Sequence, residues 1–462
     1  MTRIGESVDE PTTTGSRHLR DAVDKVLPKV LDDLRRMISV PGVSFPEFDP
    51  VPVEQSAETV ARLCRESGIE DVRIIRAGGG HPAVVARIPA PPGAPTVLLY
   101  AHHDVQPAGD IGEWHSEPFV AEERDGRLYG RGAADDKGGI AAHLAAVRAF
   151  GGRPPVGVTL FIEGEEECGS PSLRKLLADH HELLTADVIV LADSENWRVG
   201  VPALTISLRG LVDCRVRVST LEHSVHSGIY GGVVPDALTS LCRLLSTLHD
   251  DAGDVAVAGL HRSGAPAVSQ TEASLRAQAG VLPEVDLIGT GSVTERRWHR
   301  PAITVIGIDC PGIRDAANKL IATAEAKVSM RLAPGQDPLA AMSALTSHLI
   351  THAPWHARVA VEPGHLSAPS QIVAHDGIFQ AGLDALRDAW DGQEPVTIGV
   401  GGSIPFVVDF ATAFSDAAML VTGVQDPDTR AHSADESLHL GEWRRACLAT
   451  AFLLERLARD PE

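Results

Sequence analysis

Apolar positions along the first two hundred residues fall into two alternating patterns. Residues 18–37 carry them at helical spacing up to the stop signal Ser39-Val40-Pro41-Gly42, and Val53 to Ser67 repeats the amphipathic pattern. Beyond these, Thr96–Ala101, Val156–Ile162 and Asp187–Ala192 are apolar runs of strand length, while Ile140–Phe150 and Leu173–Leu177 return to helical spacing. Strands that are apolar on both faces and separated by helices predict an α/β fold, a mixed, mostly parallel sheet covered by helices.

The pattern changes near Ala203. Leu204–Leu208 and Val212–Val218 alternate apolar with polar, as half-exposed antiparallel strands do. A helix is predicted over Pro235–His249, followed by a Gly/Ser/Ala-rich stretch of weak periodicity to about Gly291. Alternation returns in Ala326–Leu332 and Val359–Glu362, with a helix between them at Pro338–His352. After Pro369, Phe379–Trp390 reads as a helix and Ala417–Thr422 as a strand of the earlier kind. The expected organisation is an α/β domain in two parts, residues 1–205 and 368–462, interrupted by an inserted α+β domain at residues 206–367.

Composition narrows the function. The chain has 462 residues, with 41 Lys+Arg against 62 Asp+Glu, a formal charge of −21. Phosphate binding needs a basic face, so no nucleic-acid partner is expected, nor docking on an anionic membrane. Six cysteines stand far apart without a C-x-x-C pair, which reads as small buried hydrophobes in a reducing compartment. Residues 1–16 are polar and lack the apolar run of a signal peptide, and no segment approaches the roughly 18 apolar residues of a membrane helix. A cytoplasmic location is the expectation.

Three of the predicted buried strands end in residues that bind metals. The first runs into His102-His103-Asp104, the second into Glu163-Gly164-Glu165-Glu166-Glu167, the third into Asp193, and a fourth segment places Asp135-Asp136 at a helix start. Sites form at the carboxyl ends of strands in such sheets. One acid-rich loop is usually a solvated turn; four together call for another cause. In His-x-Asp, residues i and i+2 share a side, so the carboxylate can accept one imidazole N–H and leave the other nitrogen for a metal. Imidazole plus carboxylate without thiolate suits Zn²⁺ or Mn²⁺. Two ions would explain the number of acids, since a paired site polarises a carbonyl and activates water.

The runs Tyr100-Ala101-His102-His103-Asp104-Val105-Gln106-Pro107, Tyr129 to Gly138, Glu163 to Ser170 and His226-Ser227-Gly228-Ile229-Tyr230-Gly231-Gly232 resemble the M20 metallopeptidases, in particular their carnosinase-like dipeptidase branch. Met330 to Gly335, Gly401-Gly402-Ser403-Ile404-Pro405 and Ala431-His432-Ser433 extend the resemblance. It implies hydrolysis of dipeptides or short peptides with a free C-terminal carboxylate, with two divalent ions, Zn²⁺ first and Mn²⁺ or Co²⁺ as alternatives. It assigns His102 and Asp193 to one ion, Glu167 and His432 to the other, and Asp135 to both. Asp104 would orient His102, Glu166 would be the general base, and the Asp135–Asp136 peptide would be cis. His103, one residue along, would be packing or surface.

The inserted domain resembles the family's lid and dimerisation domain and implies a homodimer. His226 would stabilise the carbonyl oxyanion, Arg331 would grip the substrate carboxylate, and Ser403, with Gly402 beside it, would contact the same group. Taken without the resemblance, His226 reads as a turn cap, Arg331 as a strand-face ion pair and Ser403 as turn chemistry. The chain departs from the family at Val400, where relatives carry a charged residue, and at Lys319-Leu320-Ile321-Ala322-Thr323, where they read Lys-Thr-Val-Ile-Pro. Both bear on specificity. An N-acyl-amino-acid amidohydrolase shares the same core chemistry, and an inactive binding homologue is the rival from another class.

Overall fold

The computed structural model describes residues 12–264, 268–372, 376–402 and 405–459. The chain divides into two compact units: Met1–Thr205 with Ile372–Thr397 and Asp409–Glu462, and Ile206–Gln371 with Ile398–Val408.

The first unit is built on a mixed sheet whose strands lie in the order Asp71–Ile75, Ala83–Ile88, Gly157–Glu163, Thr96–His102, Val188–Leu191, Ala418–Val421, Ala203–Leu208. The four from Gly157–Glu163 to Ala418–Val421 are mutually parallel, and antiparallel strands flank them on both sides. These four are buried almost throughout, which is why their sequences are continuous apolar runs and not alternations. Helices Thr12–Ile38, Lys137–Ala149 and Leu440–Leu457 pack on one another, and Asp376–Ala389 packs on the last of them. One apolar core joins them to the sheet, from Val30 and Leu34 through Leu99, Leu144 and Leu160 to Leu454.

Helix Lys137–Ala149 is buried along nearly its whole length, and small residues make that possible. A Cβ on Gly139 would sit 2.2 Å from the Asp136 carboxylate, and one on Gly138 2.6 Å from the Ala133 carbonyl. Only glycine lets this helix start so close to the loop carrying Asp135. That loop follows a small sheet in which Arg127–Tyr129 pairs with Ser437–His439.

The second unit holds an antiparallel sheet in the order Ala302–Asp309, Thr323–Leu332, Gly210–Ser219, Arg358–Ser367. Along Gly210–Ser219, Val212, Cys214, Val216 and Val218 point into a core shared with Leu241 and Leu244 of helix Ala237–Ser246 and Leu345 and Leu349 of helix Pro338–Thr351. Alternation with one solvated face is what this packing requires.

Two expectations are corrected. Leu204–Leu208 was expected to be a half-exposed strand; instead Ala203–Leu208 is largely buried in the central sheet. Its polar Thr205 is inside because its hydroxyl lies 2.7 Å from that of Ser194. The stretch before Gly291 contains a helix, Glu272–Ala279, and edge strand Ala302–Asp309 follows unforeseen. Among the described residues no helix is long and apolar enough to cross a membrane.

Candidate active site

The parallel strands deliver acids and imidazoles at their carboxyl ends. His102 is the last residue of its strand, Glu166 and Glu167 form the single turn after Gly157–Glu163, and Asp193 lies two residues past Leu191. Asp135 comes from the loop before helix Lys137–Ala149, and His432 from the loop before Ser437–His439, so the small three-residue ladder draws these distant segments together.

Asp135 sits at the centre. One oxygen, Oδ1, lies 3.2 Å from His102 Nε2, and the other, Oδ2, 3.0 Å from His432 Nε2. His102 Nε2 is 4.0 Å from Asp193 Oδ2, and His432 Nε2 is 3.2 Å from Glu167 Oε2. Two groups of possible ligand atoms result, His102/Asp135/Asp193 and Asp135/Glu167/His432, each within 4.8 Å and sharing Asp135. Glu166 stands beside them, its Oε2 4.0 Å from His102 Nε2, and belongs to neither group. The Asp135–Asp136 peptide is cis. His432 holds a left-handed backbone, φ 64°, uncommon for a non-glycine residue.

Asp104 is fully buried behind His102. It accepts hydrogen bonds from the Ser44 hydroxyl (2.7 Å) and the backbone N–H groups of Glu167 (3.0 Å) and Glu166 (3.2 Å). His102 Nδ1 is 3.1 Å from the Asp104 carbonyl and 3.4 Å from its carboxylate, which leaves Nε2 directed at Asp135. Burial pushes the Asp104 carboxyl up, but His102 and Ser44 outweigh it and hold it below the usual range. His103 is buried rather than on the surface, with Nε2 2.9 Å from the Pro82 carbonyl; burial brings it down to about 4.

Sequence reasoning gave no role to Gln106, although it lies within the resembling run. Its backbone N–H reaches Glu167 Oε1 at 3.1 Å and its amide Glu167 Oε2 at 2.7 Å, so both carboxylate oxygens are held.

The electrostatics favour a cation among these groups. Burial pushes the carboxyls of Glu166, Glu167 and Asp193 up, Asp193 to about 7, and neighbouring carboxylates add to the effect. Burial would raise Asp135 too, but His102 and His432 hold it well below the usual carboxylate range. Hydrogen bonds to Asp135 and Glu167 push His432 up to about 11. Four carboxylates gathered with two imidazole nitrogens aimed among them require positive charge in the gaps, and divalent cations fit this oxygen-and-nitrogen donor set.

The remaining site residues lie on the second unit. His226 is exposed, and its Nδ1 accepts the Gly228 N–H at 3.0 Å, so in the neutral ring the proton sits on Nε2. Arg331 is half-buried on Thr323–Leu332, and burial lowers its guanidinium. Gly402 is half-buried in the turn where Arg209 donates to the Gly401 carbonyl at 3.0 Å. Ser403 lies outside the described residues.

The sequence pattern of Peptidase family M20/M25/M40 matches residues 98–456. Over 417 residues the chain is 36% identical to a cysteinylglycine-S-conjugate dipeptidase of Corynebacterium striatum, covering 87% of this chain and 90% of that protein. It is 27% identical over 481 residues to the Cys-Gly metallodipeptidase DUG1 of Saccharomyces cerevisiae, covering 95% and 98%. The crystal structure of human carnosine dipeptidase 1 aligns with a TM-score of 0.81 at 25% identity, over 97% of this chain and all (100%) of that one. The chain therefore belongs to peptidase family M20/M25/M40, in its carnosinase-like dipeptidase branch, and is a metallopeptidase.

Proposed function

We propose that this protein hydrolyses dipeptides, or short peptides with a free C-terminal carboxylate, with the help of two divalent metal ions. The observation that carries the reading is the pair of three-residue groups sharing Asp135, with Glu166 left over beside them. His102 and Asp193 would hold one ion, Glu167 and His432 the other, and Asp135 both. Such ions would polarise the scissile carbonyl and make water acidic enough to attack at neutral pH. Zn²⁺ suits the donors best, with Mn²⁺ or Co²⁺ able to replace it.

Glu166, the acid outside both groups, would take the proton from the attacking water and pass it to the departing amine. From the second unit, His226 would donate its Nε2–H to the carbonyl oxygen as it gains charge. The Arg331 guanidinium would form paired hydrogen bonds with the substrate's terminal carboxylate, Ser403 would add a third contact, and Gly402 would let the backbone approach. The names of two relatives point the same way: one is a cysteinylglycine-S-conjugate dipeptidase and another a Cys-Gly metallodipeptidase, which makes a Cys-Gly-type dipeptide the first substrate to try.

A homodimer through the second unit is supported by edge strand Ala302–Asp309, where Ile306 and Ile308 are exposed on a strand whose outer edge pairs with no other strand among the described residues. The six free thiols suit a cytoplasmic location. The test is Glu166→Gln assayed on Cys-Gly with metal content measured in parallel. The variant should keep two ions per chain and lose about 10²–10⁴-fold in kcat. Normal turnover by it would remove Glu166 from the mechanism, and full activity in metal-free wild type would overturn the whole reading.

A further inference from the structure

Glu436 is fully buried four residues beyond His432 and belongs to neither group of possible metal ligands. Its carboxylate accepts four hydrogen bonds. Oε2 takes one from Arg131 Nη1 at 2.7 Å and one from the Gly132 N–H at 2.9 Å; Oε1 takes those of Ala134 at 3.0 Å and of Asp135 itself at 3.1 Å. The Glu436 carbonyl also accepts the Gly130 N–H at 3.0 Å.

Arg131, equally buried, extends the connection. Its Nη2 donates to the Ser433 carbonyl at 3.1 Å, next to His432, and to the Pro107 carbonyl at 3.3 Å, next to the Gln106 that holds Glu167. One ion pair thus ties together the backbones that carry Asp135, His432 and the clamp on Glu167. Burial and nearby Asp135 push the Glu436 carboxyl up, while Arg131 and the backbone donors favour its charged form. All four donors are satisfied only by a carboxylate with both oxygens accepting.

The consequence concerns Asp135. Its two oxygens face opposite imidazoles, so its value as a shared ligand depends on where its backbone sits. That backbone is fixed at its own N–H by Glu436. We propose that Glu436 is a positioning residue that sets Asp135 between the two metal ions and keeps the His432 loop in register with it. This rests on the dinuclear reading above, and the test separates the two.

Metal-free wild type and Glu436→Gln are titrated with Co²⁺, following the visible absorption bands, and with Zn²⁺ in competition with a chromophoric chelator. Glutamine has nearly the same size, but its NH₂ turns toward N–H donors on one side and cannot accept from them. Losing a group that orients ligands typically weakens metal binding about 10–100-fold. That loss is expected for both ions, because Asp135 serves both, with shifted cobalt bands at saturation. Glu436→Asp, which keeps two accepting oxygens on a shorter arm, should fall between the two, and it decides the matter if Glu436→Gln does not fold. Unchanged affinities and an unchanged saturated spectrum, with only the thermal midpoint of the metal-free protein lowered, would make Glu436 merely structural and overturn the inference. Wild type that binds fewer than two ions would instead overturn the dinuclear reading.

Discussion

His143 offers a clean test of how burial shapes stability in the first unit. It lies on helix Lys137–Ala149, 1% exposed, with Nε2 3.1 Å from the Tyr100 carbonyl and no partner for Nδ1 among the described residues. Burial lowers its pKa to about 4, against about 6.5 for an unfolded histidine. As pH falls through 6.5 the unfolded chain takes up a proton that the folded chain refuses until about 4, so stability falls across that window. The full loss is about 3 kcal/mol, of which about 2 kcal/mol falls between pH 7 and pH 5. His143→Leu removes the group. The Tyr100 carbonyl keeps the Ala192 N–H at 3.1 Å, and the leucine enters apolar surroundings that include Val190, Leu204 and Leu420. At pH 7 the variant should stay within about 1 kcal/mol of wild type, the worth of one hydrogen bond. Urea unfolding at pH 7 and pH 5 is the assay. Wild type should lose about 2 kcal/mol more than the variant on acidification; equal losses would show that His143 is not held neutral by burial.

Two further outcomes follow from the geometry. Asp104→Asn replaces with a donor either the oxygen that accepts from Ser44 and the Glu167 N–H or the one that accepts from the Glu166 N–H. It should weaken Zn²⁺ binding about 10–100-fold in a chelator competition, and unchanged affinity would deny Asp104 its orienting role. Ile306→Lys with Ile308→Lys places charge on an exposed edge; sedimentation should show a dimer becoming monomeric, with unfolding shifted by no more than about 0.5 kcal/mol per substitution. A monomeric wild type would end the dimer proposal.

Legibility in the sequence followed burial. Thr96–His102, Gly157–Glu163 and Val188–Leu191 stand out because both faces are buried, leaving no polar position to interrupt them. Asp71–Ile75 and Ala302–Asp309 escaped notice because they are edge strands with much of their surface in water. Ala203–Leu208 misled because a hydroxyl satisfied by another hydroxyl looks, in sequence, like one facing solvent. The site divides in the same manner. His102 and Asp104 are linked by local spacing, but Asp135 and His432 meet through a ladder three residues long, too short to read; only the family resemblance joined them beforehand. Gln106 holds Glu167 partly through its own backbone N–H, and Glu436 accepts from three backbone N–H groups, contacts that no side-chain pattern records.

The acids of the site make a further demand on the fold itself. Asp135, Glu166, Glu167 and Asp193 are gathered around two imidazoles, so the metal-free protein must protonate carboxyls or imidazoles or bear the repulsion. Asp193, raised to about 7, gives the sign. A carboxyl raised above its unfolded value of 3.8 helps the folded state at low pH and loses that help as pH rises through 7. His432, raised to about 11, works in the same direction above pH 6.5. The metal-free form should therefore lose stability from pH 5.5 to pH 8. Metal binding has the opposite dependence, because its ligands must be deprotonated. At a free metal concentration about a thousandfold above Kd, one bound ion adds about 4 kcal/mol. Thermal unfolding with and without Zn²⁺ should then show a gap that widens between pH 5.5 and pH 8. A gap of constant size, or none, would mean that these carboxylates do not depend on a cation for their place in the fold.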